Sequence, residues 1–532
     1  MKTGTGLPVF PGIAIGVPFL LPTSEGSNSI PVGSPEIEKA RFAAALGSVR
    51  KQLSQLYEKT RSELGEAQAA VVEVQLLLLE DPELLEAVTD AIEQGVSAEK
   101  AVSDTGEAFA RIFATLEDAY LQARGEDIRD LCQQIRDALV GREAVFFPEE
   151  PFLLVAEELS PTQALSLPRD RVLGFVTCQG SPLSHTAILA QTWGLPSLVQ
   201  ADILLEALSG CKIFAVDSCN GRWYADPDTE TLAMLEQKQL EARREQEELE
   251  PFRTPETRTR LGTPVPLMAN IGSPEDAEAA KAVGAEGIGL LRSEFLYLGR
   301  DTLPTEDELC AAYRRIGQIM EDRPVLIRTL DIGADKQAPC LQLSPEENPA
   351  LGLRGIRLCL ERQELFRIQL RAIYRASAFG NLHILFPMVS ALWELNAAKA
   401  LCAQVREELK APQIPIGIMV ETPAAAILAE DFAREADFFS VGTNDLTQYT
   451  LAADRQHTGV LAQYDPKHPA LLALLCHIAQ AAQKAGIWAG VCGELAADPE
   501  LQEALIRMGY RELSMAPSRI PETRQRIRQF NF

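Results

Sequence analysis

The chain has 532 residues, 46% hydrophobic and 23% charged, and its 75 Asp and Glu against 50 Lys and Arg give a formal net charge of −25. At about 150 residues per domain this predicts a globular protein of three to four units. The anionic excess argues against a nucleic-acid binder, which needs a cationic footprint, and against attraction to an anionic membrane surface.

Residues 1–33 are rich in Gly and Pro with short apolar runs, which predicts strands and turns. The most apolar run, Gly12 to Leu21, is broken by Gly16 and Pro18 and falls short of the ~20 residues of a membrane span. No convincing cleavage site follows it, so neither a signal peptide nor membrane insertion is expected. The ten cysteines are scattered, without a Cys-x-x-Cys pair or metal-type spacing. That usage fits reduced thiols and a cytoplasmic location.

Residues 34–143 read as helix. Phe42, Leu46, Val49, Leu53 and Leu56 recur at spacings of 4, 3, 4 and 3, and Phe109, Ile112, Phe113, Leu116 and Tyr120 repeat the pattern. Ser34-Pro35-Glu36, Asp81-Pro82-Glu83 and Ser97-Ala98-Glu99 each place a capping residue before early acidic residues. A bundle of about four helices is expected.

Residues 144–227 switch to short strands, at 152–156, 172–178, 195–200 and 212–217, alternating with short helices. Together with residues 1–33 they are assigned to one α/β domain into which the helical bundle is inserted. Residues 228–255 form a charged helical linker, closed by Pro251 and Pro255. Over 256–532 eight apolar runs (267–271, 287–291, 325–331, 383–388, 416–421, 438–443, 490–494 and 512–515) alternate with helical segments. Strands apolar on both faces are what a parallel sheet requires, and eight such units predict a (β/α)8 barrel with long inserts after its second and third strands. The fold class is thus multidomain α/β.

In such a barrel the chemistry sits where strands end. Those ends carry Arg292, Ser293 and Glu294; Arg328 and Asp331; Glu421; Asn444 and Asp445; and Cys492, with Arg455 shortly after the sixth strand. Glu421 and Asp445, from adjacent strands, suit a hard divalent cation such as Mg2+. Arg292, Arg328 and Arg455 suit a carboxylate or phosphate, whose geometry the guanidinium fork matches. A lone Arg is usually a surface ion pair and a lone Cys usually core; convergence on one rim carries the functional reading. A second candidate is His185, in the first turn of a helix after a strand and a Gly turn, where the helix dipole and free N–H groups favour a phosphoryl group. A helix-start histidine is more often structural, and the pattern leaves both readings open.

At these residues the chain resembles Enzyme I of the sugar phosphotransferase system, and the Enzyme I-like part of multiphosphoryl transfer proteins. The resemblance rests on Ser184-His185-Thr186-Ala187, Gly287 to Leu296, Arg328 to Lys336, Glu346-Glu347-Asn348-Pro349, Val420-Glu421-Thr422-Pro423, Gly442 to Thr450 and Cys492-Gly493-Glu494-Leu495, and covers nearly the whole chain. It implies a phosphohistidine domain, an inserted carrier-binding domain and a phosphoenolpyruvate-binding barrel. His185 looks like the phosphorylated histidine. Arg292, Arg328, Asn444, Asp445 and Arg455 look like substrate ligands, Glu421 and Asp445 like the Mg2+ ligands, and Cys492 like the acid that protonates the enolate. The resemblance further implies the phosphocarrier HPr as partner, a homodimer through the barrel, and the first step of sugar uptake. If so, the histidine must swing between barrel and carrier, and segment 228–250 is the expected hinge.

Two departures stand out. Gly180-Ser181-Pro182-Leu183 replaces the family's usual Gly-Gly-Arg-Thr, and Gln191 stands where a basic residue is common. The family usually runs on through a further C-terminal helical segment beyond Phe532, so either a truncated form or one piece of a longer fusion is expected. A pyruvate phosphate dikinase or phosphoenolpyruvate synthase shares these parts, but needs a nucleotide-binding domain for which the residues before His185 leave little room. A catalytically silent regulator is the other alternative; the intact rim set speaks against it.

Overall fold

The computed structural model describes residues 1–21, 33–64, 66–114, 119–142, 146–180, 185–333, 338–455, 457 and 463–532. The chain forms two compact units, Met1–Glu245 and Gln246–Phe532.

The first unit contains an eight-stranded sheet and a helical bundle. Strands β1 (Lys2–Thr5), β2 (Leu7–Phe10) and β3 (Ile13–Leu20) precede the bundle, and β4 (Phe152–Ala156), β5 (Val172–Thr177), β6 (Ser197–Val199), β7 (Phe214–Asp217) and β8 (Arg222–Ala225) follow it. The sheet order is β1-β8-β7-β3-β4-β5-β6-β2. β3 pairs with β4 in parallel and with β7 antiparallel, so β3 lies in the middle of the sheet, β1 and β2 lie at its two edges, and the bundle is an excursion between two adjacent strands. Phe19 and Phe152 meet edge to face, with ring centroids 5.3 Å apart, and seal this junction.

Among the described residues the bundle has five helical segments, against an expectation of about four helices: α1 (Pro35–Leu64), α2 (Glu66–Leu78), α3 (Pro82–Glu93), α4 (Ala98–Ala114) and α5 (Ala119–Leu139). Phe42, Val49 and Leu53 are buried and Leu46 and Leu56 pack against them, as their spacing predicted. Asp81 caps α3, accepting from the N–H groups of Glu83 (2.9 Å) and Leu84 (3.2 Å). Ile112 departs from its predicted face. It is 60% exposed, because Phe109 and Phe113 already fill the stripe that faces the bundle core. Leu116 and the side chain of Tyr120 lie outside the described residues. A buried polar cluster ties the bundle to helix α6 (Pro161–Ser166) of the α/β part. Asp130 accepts from Gln75 Nε2 and from Thr162 Oγ1, both at 2.7 Å. Helix α7 (His185–Trp193) follows β5, and helix α8 (Thr229–Leu249) runs across the boundary between the two units.

The second unit is a closed barrel of eight parallel strands: β9 (Leu267–Ile271), β10 (Ile288–Arg292), β11 (Val325–Arg328), β12 (Leu382–Phe386), β13 (Ile416–Val420), β14 (Phe438–Val441), β15 (Trp488–Val491) and β16 (Glu512–Met515). β16 pairs with β9 and closes it. Side chains alternate as the pleat demands. Leu267, Ala269, Val325, Ile327, Phe439 and Val441 pack outward under the helices. Leu290, Leu326, Leu385, Met419 and Phe438 fill the interior with Trp488, whose ring stacks on Phe438 at 4.6 Å.

Several strands are shorter than expected at their C-terminal ends. β11 stops at Arg328, not Asp331, because side chains take the next backbone donors: Leu330 N–H goes to Gln369 Oε1 (3.0 Å) and Asp331 N–H to Glu294 Oε1 (3.2 Å). β14 stops at Val441 because Thr443 already opens a helix, and β15 starts two residues early, at Trp488. Arg524, fully buried on the C-terminal helix Ile520–Ile527, fastens that helix to the barrel. It donates to the carbonyls of Phe252 (2.5 Å), Gly284 (2.6 Å) and Val283 (3.3 Å) and to Thr257 Oγ1 (2.9 Å). All ten cysteines are free, and among the described residues no helix is long and apolar enough to cross a membrane.

Candidate active site at the barrel rim

Strand ends deliver the charged side chains to the C-terminal rim. Arg292 closes β10 and is exposed; Arg328, its register partner at the end of β11, is buried. A buried guanidinium needs fixed partners. Arg328 Nη2 donates to Glu294 Oε1 (2.6 Å), and its Nη1 lies 3.0 Å from Asp331 Oδ2. Burial alone would depress this guanidinium, but the carboxylates of Glu294, Asp331, Glu421 and Asp445 outweigh it and hold Arg328 firmly charged.

Asp331 is shared. It also takes a bidentate bond from Arg354, Nε to Oδ1 at 3.1 Å and Nη2 to Oδ2 at 2.9 Å. Arg354 Nη1 reaches Tyr449 Oη at 3.3 Å and lies 3.9 Å from Asp445 Oδ1. Sequence reasoning missed Arg354. It sits in the long insert after β11, next to Gly355, whose φ of +57° turns the chain back to the rim. The signal available was an Arg close to two glycines, Gly352 and Gly355, within that insert.

Glu421 follows β13 and is buried. One oxygen accepts the Met388 N–H at 2.6 Å; the other has no partner among the described residues. Burial, and then the charges of Asp445 and Asp331, push this carboxyl up to about 8. A buried carboxylate with an orphaned oxygen, feeling the negative charge of Asp445 from the next strand, fits the donor set of a hard divalent cation. Among the described residues no group of three or more His, Cys, Asp or Glu forms a protein-only cage. A Mg2+ ion here would therefore draw further oxygens from substrate and water, as this cation commonly does.

Asn444 and Asp445 lie in the first turn of helix Thr443–Leu451. Asn444 Oδ1 accepts the Glu494 N–H at 3.2 Å, which links the ends of β14 and β15. Arg455 is exposed beyond that helix, its backbone N–H donating to Gln448 Oε1 at 3.3 Å. Cys492, just past β15, is 4% exposed; its thiol donates to the Val441 carbonyl at 3.5 Å, and burial pushes it up to about 12. The structure thus brings Arg328, Glu421 and Asp445 into one charged cluster, joined by Arg354, Asp331 and Glu294. Glu421, Arg328 and Cys492 lie close enough to one another for their charges to interact.

His185 belongs to the other unit, where it opens α7. Its side chain lies outside the described residues, as do Ser181, Pro182, Leu183 and Ser184 of the departing loop and Ala334 to Gln337 after β11.

Three family models match the chain: "PEP-utilising enzyme, N-terminal" over residues 5–124, "PEP-utilising enzyme, mobile domain" over 148–221 and "PEP-utilising enzyme, PEP-binding domain" over 246–532. Relatives named phosphoenolpyruvate-protein phosphotransferase are similar along their length. Those of Bacillus sp. (strain S) and Geobacillus stearothermophilus are each 41% identical, over 99% of this chain and 93% of theirs. That of Bacillus subtilis (strain 168) is 40% identical over 99% and 94%. A solved structure titled as an NMR structure of Enzyme I (nEIt) is 31% identical, covers 45% of this chain and 99% of its own, and has a TM-score of 0.39. With the barrel, its charged rim and these matches in hand, the chain belongs to the phosphoenolpyruvate-protein phosphotransferase family.

Proposed function

We propose that this chain moves the phosphoryl group of phosphoenolpyruvate to the imidazole of His185, and from there to a histidine of the phosphocarrier HPr. This is the entry step of phosphotransferase-system sugar uptake. The observation that carries the reading is the charged cluster at the rim: Arg328 and Arg354 share Asp331 at one barrel end, beside a Glu421 oxygen with no partner among the described residues.

Arg292, Arg328 and Arg455, with Asn444, hold the carboxylate and phosphoryl oxygens; Glu421 and Asp445 would hold Mg2+. The ion, when bound, supplies positive charge to the substrate oxygens. Phosphoryl transfer is largely a matter of positioning and charge stabilisation, and two guanidiniums locked by Asp331 provide both without reorganising. The P–O bond of phosphoenolpyruvate breaks as an N–P bond forms on His185, leaving the enolate of pyruvate. Its C3 takes the Cys492 proton, and the thiolate recovers a proton from water. A buried thiol pushed up to about 12 stays protonated until the enolate forms, which suits an acid of this kind.

Because His185 and the rim belong to different compact units, the cycle requires the two to approach and separate, with α8 as the connector. Assembly as a homodimer through the barrel, in the cytoplasm, completes the proposal. Labelled phosphoenolpyruvate with Mg2+ tests it. The expected result is acid-labile, base-stable label on the parent and none on His185→Ala, without ATP. Label surviving in His185→Ala overturns the assignment.

A further inference from the structure

The thiol of Cys492 is aimed by a piece of chain that the sheet no longer holds on one side. β15 pairs with β16 at Gly490 and Val491, and Cys492 lies one residue past the last of these pairs. On the β14 side its N–H still donates to the Val441 carbonyl at 3.1 Å. On the other side its carbonyl is taken by a side chain from two strands away. Asn270, on β9, reaches across β16 and donates from Nδ2 to Cys492 O at 2.8 Å and to Ser514 O at 3.4 Å. The amide cannot flip without losing a third bond, because Ser514 Oγ donates to Asn270 Oδ1 at 2.6 Å. The space around the clip is tight. A methyl group at Gly289 would collide with Ser514 Oγ, and one at Gly493 would collide with Thr443 Oγ1 and lie 2.9 Å from Thr443 N.

We propose that Asn270, locked by Ser514, is a positioning residue that clips the Cys492 carbonyl and thereby aims the thiol at one face of the enolate. This rests on the reading of Cys492 as the proton donor. The amide does for one residue what a ladder bond would do, with a directional constraint that a free loop end lacks. Without it the Cys492–Gly493 segment keeps its N–H bond but gains rotation, and a displacement of about 1 Å is enough to cost on the order of a hundredfold in a step that depends on alignment. Phosphoryl departure does not use the thiol and is spared. The enolate is then protonated increasingly by water, from either face.

The experiment follows the methyl group. Full-length chain with Mg2+ turns over (Z)-[3-2H]phosphoenolpyruvate in tritiated water, and the chirality of the pyruvate methyl is read for the parent, Cys492→Ala, Asn270→Ala and Ser514→Ala. Phosphohistidine formation is timed in parallel. A single methyl enantiomer is expected from the parent and a racemic methyl from Cys492→Ala. Asn270→Ala is expected to lose more than half of the enantiomeric excess while its KM for phosphoenolpyruvate stays within about threefold of the parent, since no binding contact is removed. Ser514→Ala, a milder change suited to a barrel that tolerates no cavity at Asn270, is expected to lose part of the excess. A Cys492→Ala enzyme that keeps its stereochemistry sinks the reading of Cys492, and the clip with it. A racemic Cys492→Ala beside an undiminished excess in both other variants sinks the clip alone. So does an Asn270→Ala enzyme with a raised KM and unchanged stereochemistry, which would make Asn270 a substrate ligand.

Discussion

Glu512 lies inside the barrel, 2% exposed, and neither of its oxygens has a hydrogen-bond partner among the described residues. A methyl group at Gly490, its register partner, would come within 2.9 Å of Glu512 Cδ, so glycine at 490 makes room for this side chain. Burial pushes this carboxyl from 4.5 up to about 8. Between those two values the folded chain holds a proton that the unfolded chain has released. The contribution to stability is therefore complete below about pH 4.5 and lost as the pH rises through 8. At ~1.4 kcal/mol per pH unit the loss is about 5 kcal/mol across the window, as a ceiling. Glu512→Gln keeps the volume and removes the charge. The variant is expected to match the parent within ~1 kcal/mol at pH 5 and to exceed it by several kcal/mol at pH 8. The assay is hydrogen–deuterium exchange of peptides from β15 and β16 under increasing urea, at unit steps from pH 5 to pH 8. Taking the difference between the two proteins cancels the other titrating groups, Glu421 included. Equal loss of stability with pH in parent and variant refutes the reasoning, because the carboxyl would then be charged inside the folded barrel.

Glu421→Gln removes the orphaned carboxylate oxygen and one charge beside Asp445. Calorimetric titration with Mg2+ in the presence of phosphoenolpyruvate is expected to show at least about tenfold weaker ion binding. Arg524→Ala strands the carbonyls of Phe252, Val283 and Gly284, which should lower barrel stability by ~3–5 kcal/mol in a thermal or urea melt. Thr162→Val removes one of the two strong donors to buried Asp130. Exchange protection of α6 and of the facing turn of α5 is expected to fall by ~1–3 kcal/mol, with the barrel peptides unchanged.

Much of the architecture is readable in local order. The heptad-like spacing from Phe42 to Leu53 marks a buried stripe because a helix repeats every 3.6 residues, and the apolar runs of 267–532 mark strands covered on both faces. The rim side chains were legible for the same reason: a parallel barrel turns strand ends into a site, so Arg328, Glu421 and Cys492 could be assigned to it by position alone. Strand lengths were not, because Glu294 and Gln369 take backbone donors that periodicity would leave to the ladder. Arg354 was not, since it lies well past the end of β11, in an insert that the turn at Gly355 returns to Asp331. The sequence by itself determined which chemistry-bearing residues stand at which strand ends, since that follows from the period of the chain. Only the tertiary structure decided which of them share a partner, which oxygen is left without one and which amide reaches across a strand, because those depend on distances between residues far apart in the chain.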